Sequence, residues 1–280
     1  MKDTFSYKAY LKSPHKSIKH STYFEVYDDL FSRYRGKKIT FVEIGVLGGG
    51  SLFMWREFLG PDARIIGIDL NPNAKKWEGE GFEIFIGSQS DEHFWQDFVK
   101  QVGCIDVVLD DGGHTYEQQI ITTEMLLDSI NDNGMLVVED THTSYMNGFG
   151  SKRFSFIEYV KCYIDKINQR FSKLDKMASD RRVWTIQVYE SFVAFHIKRT
   201  ASNLVSENTD NGGEDDSALD YRYFDNDAVQ SINGLAQKFN FLKYIPGVRW
   251  FGAKLKSYLI VQKSKSRVKK YFSSDSESRV

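Results

Sequence analysis

Residues Val107 to His114 read Val-Val-Leu-Asp-Asp-Gly-Gly-His, an apolar run closed by two acids, two glycines and a histidine. Unpaired carboxylates are too costly for a core, so these acids belong at a strand's end. The pattern recurs at Met135-Leu-Val-Val-Glu-Asp140. Outward from these two stretches, short apolar runs alternate with segments of helical spacing. Strands are expected at 39–44, 63–69, 81–86, 105–111 and 134–140, with helices at 51–59, 91–102, 117–130 and 155–171. Residues 183–199 read as two further strands about Tyr189-Glu190-Ser191, a closing hairpin. The alternation predicts an α/β fold: a mainly parallel, seven-stranded sheet with helices on both faces. Such sheets bind ligands beyond the carboxyl ends of their strands. Asp69, Asp110, Asp111, Glu139 and Asp140 all sit at such ends and should face one crevice.

At 280 residues the chain can bury a sizeable core, and its net charge of −1 implies no global polyelectrolyte role. Cys104 and Cys162 lack metal or redox spacing and read as reduced thiols of a cytosolic protein. The N-terminal residues have no apolar signal core, and no window is long enough to span a bilayer. A cytoplasmic protein is expected. Charge is unevenly placed: 201–220 hold six acids and no base, whereas 238–272 hold ten Lys/Arg and no acid. Three parts are therefore expected: a catalytic candidate over 1–200, an acidic linker over 201–220, and a basic, aromatic appendage over 221–280 with a disordered end.

The stretch Val42-Glu-Ile-Gly-Val-Leu-Gly-Gly-Gly-Ser51 places Gly45 and Gly49 where a first strand turns into a helix. Glycines there permit a tight turn and a close approach of ligand to backbone. A dinucleotide would want strict G-x-G-x-x-G spacing, which is missing, and Glu43 sits within the strand's end. Asp69, closing the second strand, is placed for both hydroxyls of a ribose; the alternative is a cap on the helix that follows. These features fit S-adenosylmethionine better than a dinucleotide. Asp110 is positioned for the methionine ammonium of that cofactor.

The segments FVEIGVLGGGSLFMWREFLGPDARIIGIDLNP, GSQSDEHFW, IDVVLDDGGHTYEQQ and MLVVEDTHTSY resemble the macrolide-glycoside O-methyltransferases, metal-dependent class I enzymes that methylate sugar hydroxyls. Cephalosporin-hydroxylase-type proteins look similar. The resemblance runs over residues 20–200, includes HSTYFEVYDDLF, and does not extend to 201–280. It implies a Rossmann-like class I methyltransferase fold. It also implies Mg²⁺ held by Asp111, Glu139 and Asp140, with His114 as base. Ser88, Gln89 and Asp91 fall where that family contacts adenosine, and Ser51 closes the glycine loop. Carboxylate oxygens suit Mg²⁺, and an imidazole titrating near neutrality suits proton removal.

Other readings stand beside these. Asp110 and Asp111 would equally cap a helix beginning near Tyr116. His142 and Tyr145 either line an acceptor pocket or make structural hydrogen bonds, and His20 and Tyr23 are candidates for a lid. His15, His93 and His196 read as surface or structural. An iron oxygenase would want two histidines and one carboxylate, and a non-catalytic scaffold is the third class. The expected partner is a glycan or glycoside, with a homo-oligomer possible. Residues 238–272 suit an anionic membrane surface better than nucleic acid, or pack on the protein itself.

Overall fold

The strands β1 (Thr40–Ile44), β2 (Arg64–Asp69), β3 (Glu83–Ile86), β4 (Ile105–Asp110) and β5 (Ile130–Val138) run parallel in the computed structural model, and β6 (Thr185–Tyr189) and β7 (Phe192–His196) form the closing hairpin. Their order across the seven-stranded sheet is β3-β2-β1-β4-β5-β7-β6, with β7 antiparallel to β5. The structure describes residues 2–171, 180–214, 221–238 and 247–272. This is the fold expected from the alternation of strand and helix.

The unit of the sheet carries α1 (Phe5–Lys12), α2 (Tyr23–Phe31), α3 (Gly50–Leu59), α4 (Glu92–Val102), α5 (Tyr116–Leu126) and α6 (Phe156–Asn168). Because neither face of a covered parallel sheet meets water, its strands are apolar on both sides. In β4, Val107 and Leu109 enter one core with Tyr27, Phe31 and Trp55. Val108 enters the other with Trp95, Phe98 and Leu126. α2 was not anticipated as an element. Its buried Tyr23, Phe24, Tyr27, Leu30 and Phe31 lie on one stripe of a 3.6-residue helix.

The boundaries around β5 differ from expectation. The helix expected over 117–130 ends at Leu126, and β5 begins at Ile130, opposite Ile105. β5 also stops at Val138, so Glu139 and Asp140 stand just beyond it. Asp140 takes a left-handed backbone, φ 56°, which turns the chain off the ladder.

The chain divides between residues 207 and 208 into two units. In the second, helices span Asp227–Lys238 and Val248–Val268, and Lys256 Nζ donates to Asn233 Oδ1 at 3.3 Å. Residues 215–220 of the expected linker, 239–246 of the basic segment and the end expected to be disordered, 273–280, lie outside the described residues. Among the described residues, no helix is long and apolar enough to cross a membrane.

Candidate active site

The topology reverses between β1 and β4, and a crevice of about 450 Å³ opens there beyond the strands' carboxyl ends. Gly45, Asp69, Ser88, Gln89, Asp111, His114 and Asp140 are among its walls. Gly45 has φ +92°, and a Cβ on it would stand 2.1 Å from the Asp111 carbonyl oxygen. Only glycine lets the two strand ends approach so closely. Asp69 Oδ2 accepts from the backbone N–H of Val46 and Leu47 at 2.9 and 2.8 Å, and Oδ1 accepts from Asn71 N at 2.8 Å. Asp69 therefore braces the glycine loop and starts the next turn, while still facing the crevice.

Side-chain alternation along the strands sorts the acids. Glu43, Asp111 and Glu139 share the face covered by α2 and α3, whereas Asp110 points to the α4–α5 side. On the first face, Glu43 accepts from Ser51 Oγ at 2.9 Å and Trp55 Nε1 at 3.0 Å. Burial pushes its carboxyl up to about 7. Glu139, 1% exposed, accepts from Tyr27 Oη at 2.8 Å through Oε2 and from Lys19 Nζ at 3.0 Å through Oε1. Lys19 Nζ also contacts Asp111. Burial raises the Glu139 carboxyl, with the Asp111 charge adding to it. Burial alone would lower the Lys19 ammonium, but Asp111 and Glu139 outweigh it and hold it well above its ordinary value.

On the other face Asp110 is 1% exposed. Its Oδ1 accepts from Gln89 Nε2 at 2.7 Å and Gly112 N at 3.2 Å, and its Oδ2 has no partner among the described residues. Burial pushes this carboxyl up to about 7. A buried acceptor of this kind is satisfied by a water, an ion or a ligand group. Neither Asp110 nor Asp111 caps α5: Thr115 does so, in a capping box with Gln118.

Asp111, His114 and Asp140 bring one ligand atom each to within 4.8 Å of one another. His114 Nε2 lies 3.4 Å from Asp140 Oδ2, and Tyr23 Oη donates to Asp140 Oδ1. A second hollow of about 400 Å³ lies beyond Asp140, walled by His20, Tyr23, His142, Tyr145 and Tyr189 among others. Strained backbone gathers at both hollows: Leu47, His114, Asp140 and Ser191 are non-glycine residues at φ 46–66°. Such residues persist where surrounding structure over-determines them, which is common at functional sites.

Residues 42–141, from β1 to just past Asp140, match a protein family described as "Methyltransferase domain". Over those residues the chain is similar to a methyltransferase domain. Its curated relatives include the mycinamicin VI 2''-O-methyltransferase of Micromonospora griseorubida. That protein is 30% identical over 186 residues, covering 60% of this chain and 46% of the relative. An 8-demethyl-8-alpha-L-rhamnosyl tetracenomycin-C 2'-O-methyltransferase of Streptomyces olivaceus is 33% identical over 135 residues, 46% of this chain and 35% of the relative. The chain thus spans between a third and a half of the length of these relatives. The MycE methyltransferase of the mycinamycin biosynthetic pathway, solved with Mg, SAH and mycinamycin VI, has the same fold. Its TM-score is 0.62 at 24% identity, over 76% of this chain and 56% of that one.

Within this unit, the residues expected against a cofactor separate into two groups. Gly45, Asp69, Ser88 and Gln89 wall the crevice; Glu43, Gly49, Ser51, Asp91 and Asp110 are not among its walls. Asp91 caps α4, accepting from His93 N at 2.9 Å. Gly49 starts α3 against the Trp77 ring, and Ser51 holds Glu43. Of the expected metal ligands, Asp111 and Asp140 come together with His114, while Glu139 is engaged by Lys19 and Tyr27. His142 Nδ1 pairs with Ser191 Oγ at 3.0 Å, and with Tyr145 it faces the second hollow. Lys19 and Tyr27 were missed. Each lies more than 90 residues from the acids it meets, and no local pattern marks such pairs.

Proposed function

We propose that the protein transfers the methyl group of S-adenosylmethionine to a hydroxyl of a glycan or glycoside, with Mg²⁺ as its metal. The observation that carries this reading is the cluster of Asp111, His114 and Asp140 in the wall of the first hollow of a methyltransferase-like domain. The donor set fits a hard divalent ion, since carboxylate oxygens dominate it and Glu139 stands beside them. A facial iron triad would need two imidazoles, and this cluster contains one. A bound metal would supply positive charge that makes a coordinated hydroxyl more acidic.

The chain's own residues divide the remaining work. Asp69, the glycine loop, Ser88 and Gln89 shape the first hollow for a nucleoside. The open Oδ2 of Asp110 is an acceptor for an ammonium group. His114, its Nε2 beside Asp140, is the side chain that takes the acceptor's proton. Tyr23 holds Asp140; burial and the Asp140 hydrogen bond push its phenol up, so it stays a neutral donor. His142, Tyr145 and Tyr189 offer the second hollow the mixed aromatic and polar surface that a sugar contacts. Relatives acting on rhamnosyl and mycinamicin acceptors support a sugar acceptor here.

The same reading places the second unit at an anionic membrane surface. Trp250, Phe251 and Tyr258 are exposed on the helix Val248–Val268, which carries Lys and Arg but no acid. Calorimetry with S-adenosylmethionine, with and without Mg²⁺, followed by mass detection of methyl transfer to a panel of glycans, tests the enzymatic reading. Cofactor binding with a mass gain of one methyl per acceptor is expected. Failure to bind S-adenosylmethionine would overturn it.

A further inference from the structure

Glu43, Asp111 and Glu139 come from three adjacent strands, β1, β4 and β5, and turn to the same face of the sheet. Three carboxylates converging under α2 would repel one another strongly in a low-dielectric setting. One ammonium reaches them. Lys19 Nζ contacts Asp111 Oδ2 and stands 3.0 Å from Glu139 Oε1, with its side chain only 3% exposed. Lys19 thus sits between two of the acids expected to hold a divalent ion.

The segment bearing Lys19, residues 13–22 between α1 and α2, is a strap laid across the site. Ser13 Oγ donates to Gly50 O at 2.8 Å, and Tyr10 Oη donates to Ser17 O at 2.8 Å. A Cβ on Gly50 would meet the His15 carbonyl oxygen at 2.5 Å, so the strap lies directly on the start of α3. Ile18 walls the first hollow and His20 the second. One short segment therefore touches both hollows and the acids between them.

We propose that Lys19 is the resident counter-ion of the metal site, and that a divalent cation takes Asp111 and Glu139 by expelling it. The inference rests on the metal assigned under Proposed function, but not on the acceptor. Glu139 has one oxygen on Tyr27 and the other on Lys19, so a metal that takes it must share an oxygen with one of these donors or displace it. An ammonium and a divalent ion sharing the same two carboxylates within a few ångströms repel each other. The stronger charge displaces the weaker, and the strap is repositioned as the metal loads. Metal occupancy and the walls of both hollows are coupled through one side chain.

Amine acetylation of the full chain, read at Lys19 by peptide mass, tests this without a variant. Lys19 should be protected in chelator and labelled at the rate of surface lysines in saturating Mg²⁺. Calorimetry of Mg²⁺ binding to Lys19→Met and Lys19→Gln gives the second arm, with S-adenosylmethionine binding as the check that each variant is folded. About tenfold tighter Mg²⁺ binding is expected, equivalent to 1.4 kcal/mol. Mg²⁺ binding with Lys19 still protected, or variants binding Mg²⁺ no better than the parent, would make Lys19 a permanent member of the site and overturn the proposal. If neither parent nor variants bind Mg²⁺, the metal assignment falls and the displacement falls with it.

Discussion

His114 Nε2 stands 3.4 Å from Asp140 Oδ2, and both residues hold left-handed backbones, φ 57° and 56°. Neither conformation is easy for a residue with a side chain, and each is imposed by the turn that ends its strand. The pairing orients the imidazole between the two hollows. Replacing His114 by Ala should lower kcat by about 10²–10⁴, the usual range for a general base, with cofactor Kd unchanged. Near-normal turnover in that variant would leave proton removal to the metal alone.

Asp140 meets His114 and Tyr23 and belongs to the candidate metal cluster. Asp140→Asn keeps the shape and removes the charge, so most activity should go while S-adenosylmethionine still binds. Excess chelator should act on the parent in the same way. Full turnover in chelator would sink the metal requirement.

Asp110 presents a buried carboxylate oxygen that no group among the described residues satisfies. Hydrogen bonds to charged groups contribute about 1.5–3 kcal/mol, so Asp110→Asn should weaken cofactor binding by roughly 10–150-fold. Mg²⁺ affinity should change little. Calorimetry reads both, and equal cofactor Kd values would take Asp110 out of the cofactor's reach.

Glu43 supports α3 through Ser51 and Trp55, and burial pushes its carboxyl up to about 7 from 4.5. The folded state therefore holds this proton more tightly than the unfolded state. Its contribution is fully present below about pH 4.5 and is lost as pH rises through 7. Stability should decline between pH 5 and 7 at up to about 1.4 kcal/mol per pH unit from this group. Glu43→Gln should flatten that part of the profile. Urea denaturation of parent and variant across this range checks the slope.

The second unit should bring the protein to anionic vesicles in a salt-sensitive way. Sedimentation with liposomes at low and high salt, for the full chain and for Trp250→Ala/Phe251→Ala, provides the measurement. The parent should sediment at low salt and release at high salt, with the variant partitioning less. Identical partitioning of the two would remove the aromatic face from the contact.

Local pattern alone carried much of this architecture. Apolar runs alternating with helical spacing determined seven strands in a largely parallel sheet, because period 2 and period 3.6 are properties of neighbouring residues. The same parity put Asp110 on one face and Asp111 on the other. Strand ends marked the crevice, since acids cannot continue into a core buried on both sides. Tertiary structure alone decided what each acid does. Glu43, read as a cofactor contact, turns inward to Ser51 and Trp55, and Asp69 braces the loop above the crevice. Lys19, Tyr23 and Tyr27 arrive from the strap and α2, from 92 to 120 residues away along the chain. Periodicity reports which way a side chain points from its own element. Which partner waits there depends on how distant segments close over the sheet, and no local spacing encodes that.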